Sequence, residues 1–397
     1  MNLRSAFHSI QGNILVFALT DMLGNIARGM VFPYASLYIL ALGGDPAVIG
    51  LIGFLSPLAG LVLLPVAGHI TDHANRVHVI TLAGFLSSGF ILLMIFAPSW
   101  QMIALASMLM GTVVFQFPAY AALVADSLRP GERGLGLGLQ NMISSSLPIF
   151  APFVAGMVIE RYTANLGMRL LYAAMAVLYL LSTVLQVRYL KETAHGARVP
   201  LRMPALLTAL SKAYRGIPGL VGQMSPRLRV LTLVVVLSFV ASALSGPFWV
   251  VYATGRQGIS AADWGLIMLA DGVMRTLVFI PAGLLVDRWG RTATLLLALT
   301  LYTLTAPLFI LLHGLGPILA VRLAQAAAFS LALPACMALM ADYVPRAVRG
   351  QMMAAIGQGG ILLGVIGGAG GPAVGYLIIP ALMVGSLGGG LLYTLNP

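Results

Sequence analysis

Residues 283–292 read GLLVDRWGRT, and residues 68–77 read GHITDHANRV. Each holds a glycine four positions before an aspartate, Gly68 and Asp72 in the one and Gly283 and Asp287 in the other, and the two pairs stand 215 residues apart. The register continues outward. Gly50 in IGLIGFL answers Gly265 in WGLIMLA, again 215 apart, and Asp126 and Gly134 answer Asp342 and Gly350, 216 apart. A spacing held across five landmarks marks a duplicated unit. The unit holds six apolar runs, an even number, so the two copies share one orientation and relate by an axis along the membrane normal.

Composition agrees. Of 397 residues, 59% are hydrophobic and 8% charged, where a soluble chain carries about a quarter charged; the mean hydropathy is +0.97. At about 20 apolar residues per crossing, this fills about a dozen helices. It excludes a soluble enzyme with one anchor and a β-barrel, whose strands alternate over about ten residues. We place twelve spans at 14–42, 47–70, 77–97, 100–126, 135–160, 167–189, 230–253, 261–286, 292–313, 317–342, 350–378 and 381–396. The expected fold is an all-α membrane protein of two pseudo-symmetric six-helix bundles, residues 1–190 and 230–397, joined by a cytoplasmic linker, residues 191–229. In that linker Leu206, Leu207, Leu210, Tyr214 and Ile217 recur at near-helical spacing among basic residues. This reads as an amphipathic helix on the membrane surface or as a solvated connector. The run 381–396 is short and glycine-rich for a crossing.

The chain has 22 Lys and Arg against 11 Asp and Glu, a net charge of +11. With the N-terminus inside, 16 basic residues fall on the cytoplasmic side, three outside, and three, Arg28, Arg275 and Arg322, within spans. Basic residues gather in cytoplasmic loops, so the pattern expects a multi-pass protein of the cytoplasmic (inner) membrane with both termini inside. It also explains the charge without a nucleic-acid partner. One cysteine, Cys336, gives no intrachain disulfide, and six scattered histidines give no HExxH, so we expect no metal, no catalytic set and no cofactor. GGAGG at 367–371 reads as tight packing and a bend, and no GxxxxGK[ST] occurs to support ATP-driven pumping.

On these residues the chain resembles the major facilitator superfamily along its full length. The second copy matches the family's GxxxDRxGR signature; the first keeps Gly68, Asp72 and Arg76 and lacks the Asp-Arg pair. The turns ADSLRPGERG (125–134) and ADYVPRAVRG (341–350) are similar to its acid–Arg-Gly turn. GPAVG (371–375) looks like its antiporter motif, while APFVAG (151–156) has lost the leading glycine. The resemblance implies a conformational latch at the cytoplasmic face, carried here by Gly68, Asp72, Arg76, Asp126, Gly283, Asp287, Arg288, Arg291 and Asp342. The glycines would permit close helix contact. The alternative is that these charges only orient the chain.

Ionisable residues inside a membrane are rare unless used. Asp21, Asn25 and Arg28 share one face of the first span, and Asp271 and Arg275 form an i, i+4 pair in the eighth. In the family's fold both spans reach the central cavity, so these groups are expected near the midplane. Asp21 or Asp271 is the expected proton-coupling carboxylate, and Asn25, Arg28, Gln116, Tyr120, Asn141, Arg275, Gln325 and Gln358 are candidate substrate contacts. The alternatives are two self-neutralised pairs, and polar residues that only join helices. Arg322 opens RLAQA, similar to the family's RxxQG pattern, and is read either there or as reaching headgroups at the outer surface. Trp249 and Tyr252 read as interfacial anchors.

The expected function is secondary active transport of a small organic molecule by alternating access, coupled to protons or another ion and directed outward. The protein is expected to work as a monomer in the bilayer and not as an enzyme. Two alternatives stay open: an organic-anion carrier using the intramembrane arginines, and a transporter-like sensor or assembly protein.

Overall fold

A computed structural model describes residues 11–128, 133–193, 210–211, 214–345, 348–357, 360–363, 375 and 377–395. Their regular elements are helices. In the first half these are α1 Asn13–Val31, α2 Ala35–Ala41, α3 Pro46–His73, α4 Arg76–Ile95, α5 Trp100–Thr112, α6 Gln116–Ser127, α7 Arg133–Ser146 and α8 Ala151–Tyr189. After α9 Ile217–Gln223 the second half holds α10 Pro226–Ser245, α11 Trp249–Gly255, α12 Ala261–Trp289, α13 Arg291–Thr305, α14 Leu308–Leu311, α15 Leu315–Tyr343, α16 Arg349–Ile356 and α17 Ile379–Leu395. Nine helical stretches among the described residues are long and apolar enough to cross a membrane, and α17 is a shorter apolar helix.

Local chemistry repeats with the halves. Asp45 accepts from Val48 N at 2.8 Å at the start of α3, and Ser260, 215 positions on, accepts from Asp263 N at 3.0 Å at the start of α12. Both satisfy an amide that the first helical turn leaves unpaired. Pro33 and Pro247 each sit in a 3-10 turn, Phe32–Tyr34 and Gly246–Phe248, that breaks the first crossing of each half. A proline cannot donate to the preceding turn, so the helix tightens or kinks there. The expected fifth and sixth spans run on as α8, divided at Thr163, whose φ of 71° leaves helical space.

The spans follow the expectation through residue 343 and depart after it. The stretch 350–378 is no single helix: α16 ends at Gly357, which takes φ 85°. Residues 360–363, 375 and 377–378 are irregular. Ile361, Leu363 and Ile378 are buried in the second half's core, and Leu377 N donates to Ala355 O at 2.9 Å. Most of GGAGG and GPAVG lies outside the described residues. The final helix α17 packs on α3 and α10, where Gly50 faces Gly390 and Gly385 faces Val240. The first half makes the matching contacts with the opening of α8, on α12 and α1. In its packing, α17 thus takes the place in the second half that the opening of α8 takes in the first.

The cores show how the halves meet. One core is shared: Val31, Tyr34, Tyr38, Ala155 and Tyr172 pack with Phe248, Trp249, Trp264, Phe309 and Ile318. At the other end, which carries Arg76, Arg188, Arg229 and Arg291 and is called the basic end below, two separate cores form. Ile14, Phe17, Ile80, Leu123 and Leu190 fill one, and Leu228, Val286, Leu339, Met340 and Met352 fill the other. The described part of the linker is docked: Leu220 and Met224 join the second core, and the Tyr214 hydroxyl donates to Leu61 O. Leu206 and Leu207 of the expected surface helix lie outside the described residues.

Candidate functional site

At the end opposite the basic one, the halves are held by close backbone approach. A Cβ added to Gly265 would stand 2.7 Å from Pro152 O and 2.9 Å from Phe153 Cα; one added to Gly50 would stand 2.6 Å from Ser386 O. Only glycine permits this crossing distance. The buried Tyr34 hydroxyl lies 2.8 Å from Pro152 O and 3.2 Å from Ala261 O, so one donor serves carbonyls from both halves. Glu160, at the end of the fifth span, accepts from Ala262 N at 3.0 Å in the first turn of α12, where a carboxylate also meets the helix dipole favourably. Gly265→Leu is expected to prop this end apart. In the detergent-purified protein, maleimide labelling of a cysteine placed at the half-buried Ala261 should rise severalfold over the same cysteine in a Gly265 background, since what cover that site has depends on contact.

Gly68 and Gly283, expected to give close helix contact, have open space where a Cβ would stand. Among the repeated glycines, Gly50 and Gly265 do bring helices together. Two pairs among the described latch charges lie within a half. Arg76 Nη1 bonds Asp126 Oδ2 at 2.5 Å, and its pseudo-symmetric counterpart Arg291 pairs with Asp342. Glu192 Oε2 accepts from Arg76 N at 2.6 Å. Asp287 and Arg291 line a cleft with Asp342 and Tyr343, Arg288 is exposed, and the Asp72 side chain lies outside the described residues.

The interior charges form two networks that stay apart. In the first half, Asp21 Oδ2 accepts from the Tyr120 hydroxyl at 2.6 Å and from Gln140 Nε2 at 3.0 Å, and the same nitrogen lies 2.7 Å from the Tyr120 oxygen. Arg28 does not bond Asp21: its Nη2 donates to Asn25 Oδ1 at 2.7 Å and its Nη1 to the Tyr179 hydroxyl at 3.1 Å. Asn25 Nδ2 crosses to Ser144 O at 3.0 Å. In the second half, Asp271 receives two guanidiniums. Arg275 Nε lies 2.5 Å from Oδ2, and Arg322 Nη2 lies 2.8 Å from Oδ1. Arg322 Nη1 donates to Gln325 Oε1 at 2.9 Å, and Arg275 stacks on Phe329 with its guanidinium carbon 4.3 Å from the ring centroid.

Arg322 therefore does not reach headgroups. It is 1% exposed, because Asp271 neutralises it inside the bundle. Trp249 is likewise no interfacial anchor: it is buried, packs edge-on to Phe309 at 4.3 Å and lies 5.7 Å from the Arg322 guanidinium. Tyr252 stands behind it, 6.2 Å from Phe309. Of the other polar candidates, Tyr120 and Gln325 join the networks, Gln116 is half-buried at the start of α6, Asn141 is exposed, and Gln358 lies outside the described residues. Sequence reasoning missed Gln140 and Tyr179. Gln140 is the neighbour of Asn141 on α7, and only the rotation of that helix decides which of the two faces Asp21.

The arrangement is that of a two-lobed bundle, closed at one end around a shared core, with one ionic network inside each lobe. The family model described as Major Facilitator Superfamily matches residues 17–226 and 231–395. An uncharacterized MFS-type transporter of Methanocaldococcus jannaschii is 26% identical over 137 residues, and the match spans about a third of each chain, 34% of both. Among solved structures, a bacterial homolog of the human lysosomal transporter Spinster, inward-facing and unoccupied, is similar with a TM-score of 0.68 at 16% identity, covering 95% of this chain and 80% of that one. The nucleoside transporter NupG gives 0.68 at 13%, over 96% and 90%. The human organic anion transporter MFSD10 (TETRAN) gives 0.61 at 16%, over 96% and 92%. At such identities the structures share the fold alone, but the family model covers both lobes, and this chain belongs to the major facilitator superfamily.

Proposed function

We propose that this chain is a secondary active transporter that carries a small organic molecule across the cytoplasmic membrane by rocking of its two halves, with proton coupling at Asp21. The observation that carries the coupling is the difference between the two interior carboxylates. Protonating Asp271 would take the carboxylate from two guanidiniums, of which Arg322 is almost wholly buried, and that is costly. Among the described residues Asp21 bonds the neutral donors Tyr120 and Gln140 and makes no ion pair, so a proton there breaks none of the pairs described. The shared core at one end and the split cores at the other support a path that opens at the basic end. The excess of Lys and Arg supports placing that end, and both termini, in the cytoplasm. Export is the direction we assign, since spans with so few interior charges suit an amphipathic cargo. Both lobes of the path lie in one chain, which supports a monomer.

A second reading has its own observation. Three arginines face two aspartates inside the spans, and the Arg275 side chain is 20% exposed, which suits an organic-anion cargo. One experiment separates these from a sensor or assembly role. Metabolites and drugs are screened for thermal stabilisation of the detergent-purified protein at two pH values. The stabilising compounds are then tested in proteoliposomes for flux and for proton movement reported by an enclosed dye. Compound-driven proton movement supports the transporter reading, anion-selective flux without it supports the second, and binding with no flux of any kind overturns both.

A further inference from the structure

We propose that residues 214–224 form a strap between the halves: α9 fixes it to the second half, Tyr214 hooks it to the first, and it holds the arrangement seen here until the hook is released. Such a strap presupposes lobes that rock, as proposed above. The hook begins with a proline. In an α-helix each carbonyl accepts from the amide four positions on, and Pro65 has no amide hydrogen to give Leu61 O, in the interior of α3. A carbonyl left this way in an apolar helix asks for another donor. The Tyr214 hydroxyl supplies it, donating to Leu61 O from 153 positions away in the chain. Leu61 stands about 18 Å of helical rise from His73, the basic end of α3, so the linker reaches along α3 rather than crossing only its tip.

The other end of the strap is anchored. Leu220 and Met224 are buried in the second half's core. Only Met224 and Ser225 separate α9 from α10, and that turn is closed by its own bonds. Met224 N donates to Val221 O at 3.2 Å, Ser225 Oγ accepts from Leu228 N at 3.3 Å, and Arg229 Nη2 returns to Gly222 O at 3.3 Å. α9 therefore moves with α10. The half-buried Tyr214 packs against the same core, as does Leu64 of α3, so its ring stands where the second half meets the first. A hydroxyl bonds a given carbonyl over only a few tenths of an ångström. Any lobe movement that carries α3 past α9 must break this bond, and while it is made it favours the present position of the lobes.

The test uses the full chain and two readouts. Trypsin cleavage after Arg215, the exposed neighbour of Tyr214, reports release of the strap, because cleavage follows local opening. Spin labels at Arg188 and Trp289, with Cys336 replaced by alanine, report the distance across the basic end. Tyr214→Phe removes the hydroxyl and keeps the ring. It should raise the cleavage rate about fivefold, the worth of one hydrogen bond. It should also move the distances toward shorter values, because a basic end with its cores apart is the position the strap holds. Pro65→Ala gives Leu61 O a helical amide of its own. In that background Tyr214→Phe should change cleavage by less than about twofold; if Pro65→Ala does not fold, Tyr214→Phe decides alone. Unchanged cleavage in Tyr214→Phe, or an equal rise in both backgrounds, overturns the hook. Distances that respond to pH but stay fixed or lengthen in Tyr214→Phe overturn the strap and leave the rocking reading standing. Distances that shorten in Tyr214→Phe and ignore pH support the strap and count against proton-driven rocking.

Discussion

Asp21→Asn is expected to uncouple the protein. Asparagine keeps an oxygen for the Tyr120 hydroxyl and for Gln140 Nε2, both of which Asp21 holds at 3.0 Å or less, so the packing of α1 against α6 and α7 should survive. What is lost is the ability to gain and lose a proton. In proteoliposomes carrying a compound chosen by thermal stabilisation, gradient-driven accumulation should fall at least about tenfold, while exchange at equal pH stays within about twofold of the parent. The melting temperature should barely move, because no ion pair is removed. Unchanged gradient-driven accumulation in this variant would remove Asp21 from the mechanism and return the assignment to Asp271.

Asp271→Asn should behave in the opposite manner. It takes the one negative charge away from Arg275 and Arg322, of which Arg322 is 1% exposed. Removing one member of a buried charged set costs about 3–5 kcal/mol, chiefly because the partner is left uncompensated. A large fall in melting temperature and in yield is expected. Arg322→Gln placed on top of Asp271→Asn should recover most of it, since the same charge is then removed from both sides. A melting temperature equal to the parent's, or a double variant no better than the single one, would contradict the ion-pair geometry. The two aspartates thus separate by experiment: one substitution costs coupling and spares stability, and the other costs stability first.

Much of the fold could be read from run lengths and from the 215-residue register, because lipid demands long apolar helices and duplication repeats their punctuation. The reading failed where those signals stop. The run 350–378 is apolar enough to look like a crossing, but Gly357 turns the chain out of α16, and among its described residues Met352, Ile361, Leu363 and Ile378 lie in the second half's core. The interior charges were legible as functional candidates because each is expensive in lipid. Their partners were not. Asp21 and Arg28 share a helical face, yet seven residues separate them by about 10 Å of rise, and each finds partners on other helices, Tyr120 and Gln140 for one and Tyr179 for the other. Asp271 and Arg275, one turn apart, do meet. Arg322 carries two readings in the sequence, the family's RxxQG pattern or a headgroup contact, because nothing along its own helix shows that Asp271, 51 positions away, receives it. Spacing reports contacts within a helix; contacts between helices depend on rotation and crossing, which no single helix encodes.

The central claim is that the two halves rock about the shared core. It is tested most directly by paired spin-label distances in liposomes, with Cys336, the only cysteine, replaced by alanine. One pair spans the basic end, at the exposed positions Arg188 and Trp289; the other spans the opposite end, at Phe96 and Leu311. As pH is lowered, one distance should shorten while the other lengthens, and Asp21→Asn should hold both pairs in a single population at every pH. Distances that stay fixed at both ends, or that change in the same direction, would contradict the account.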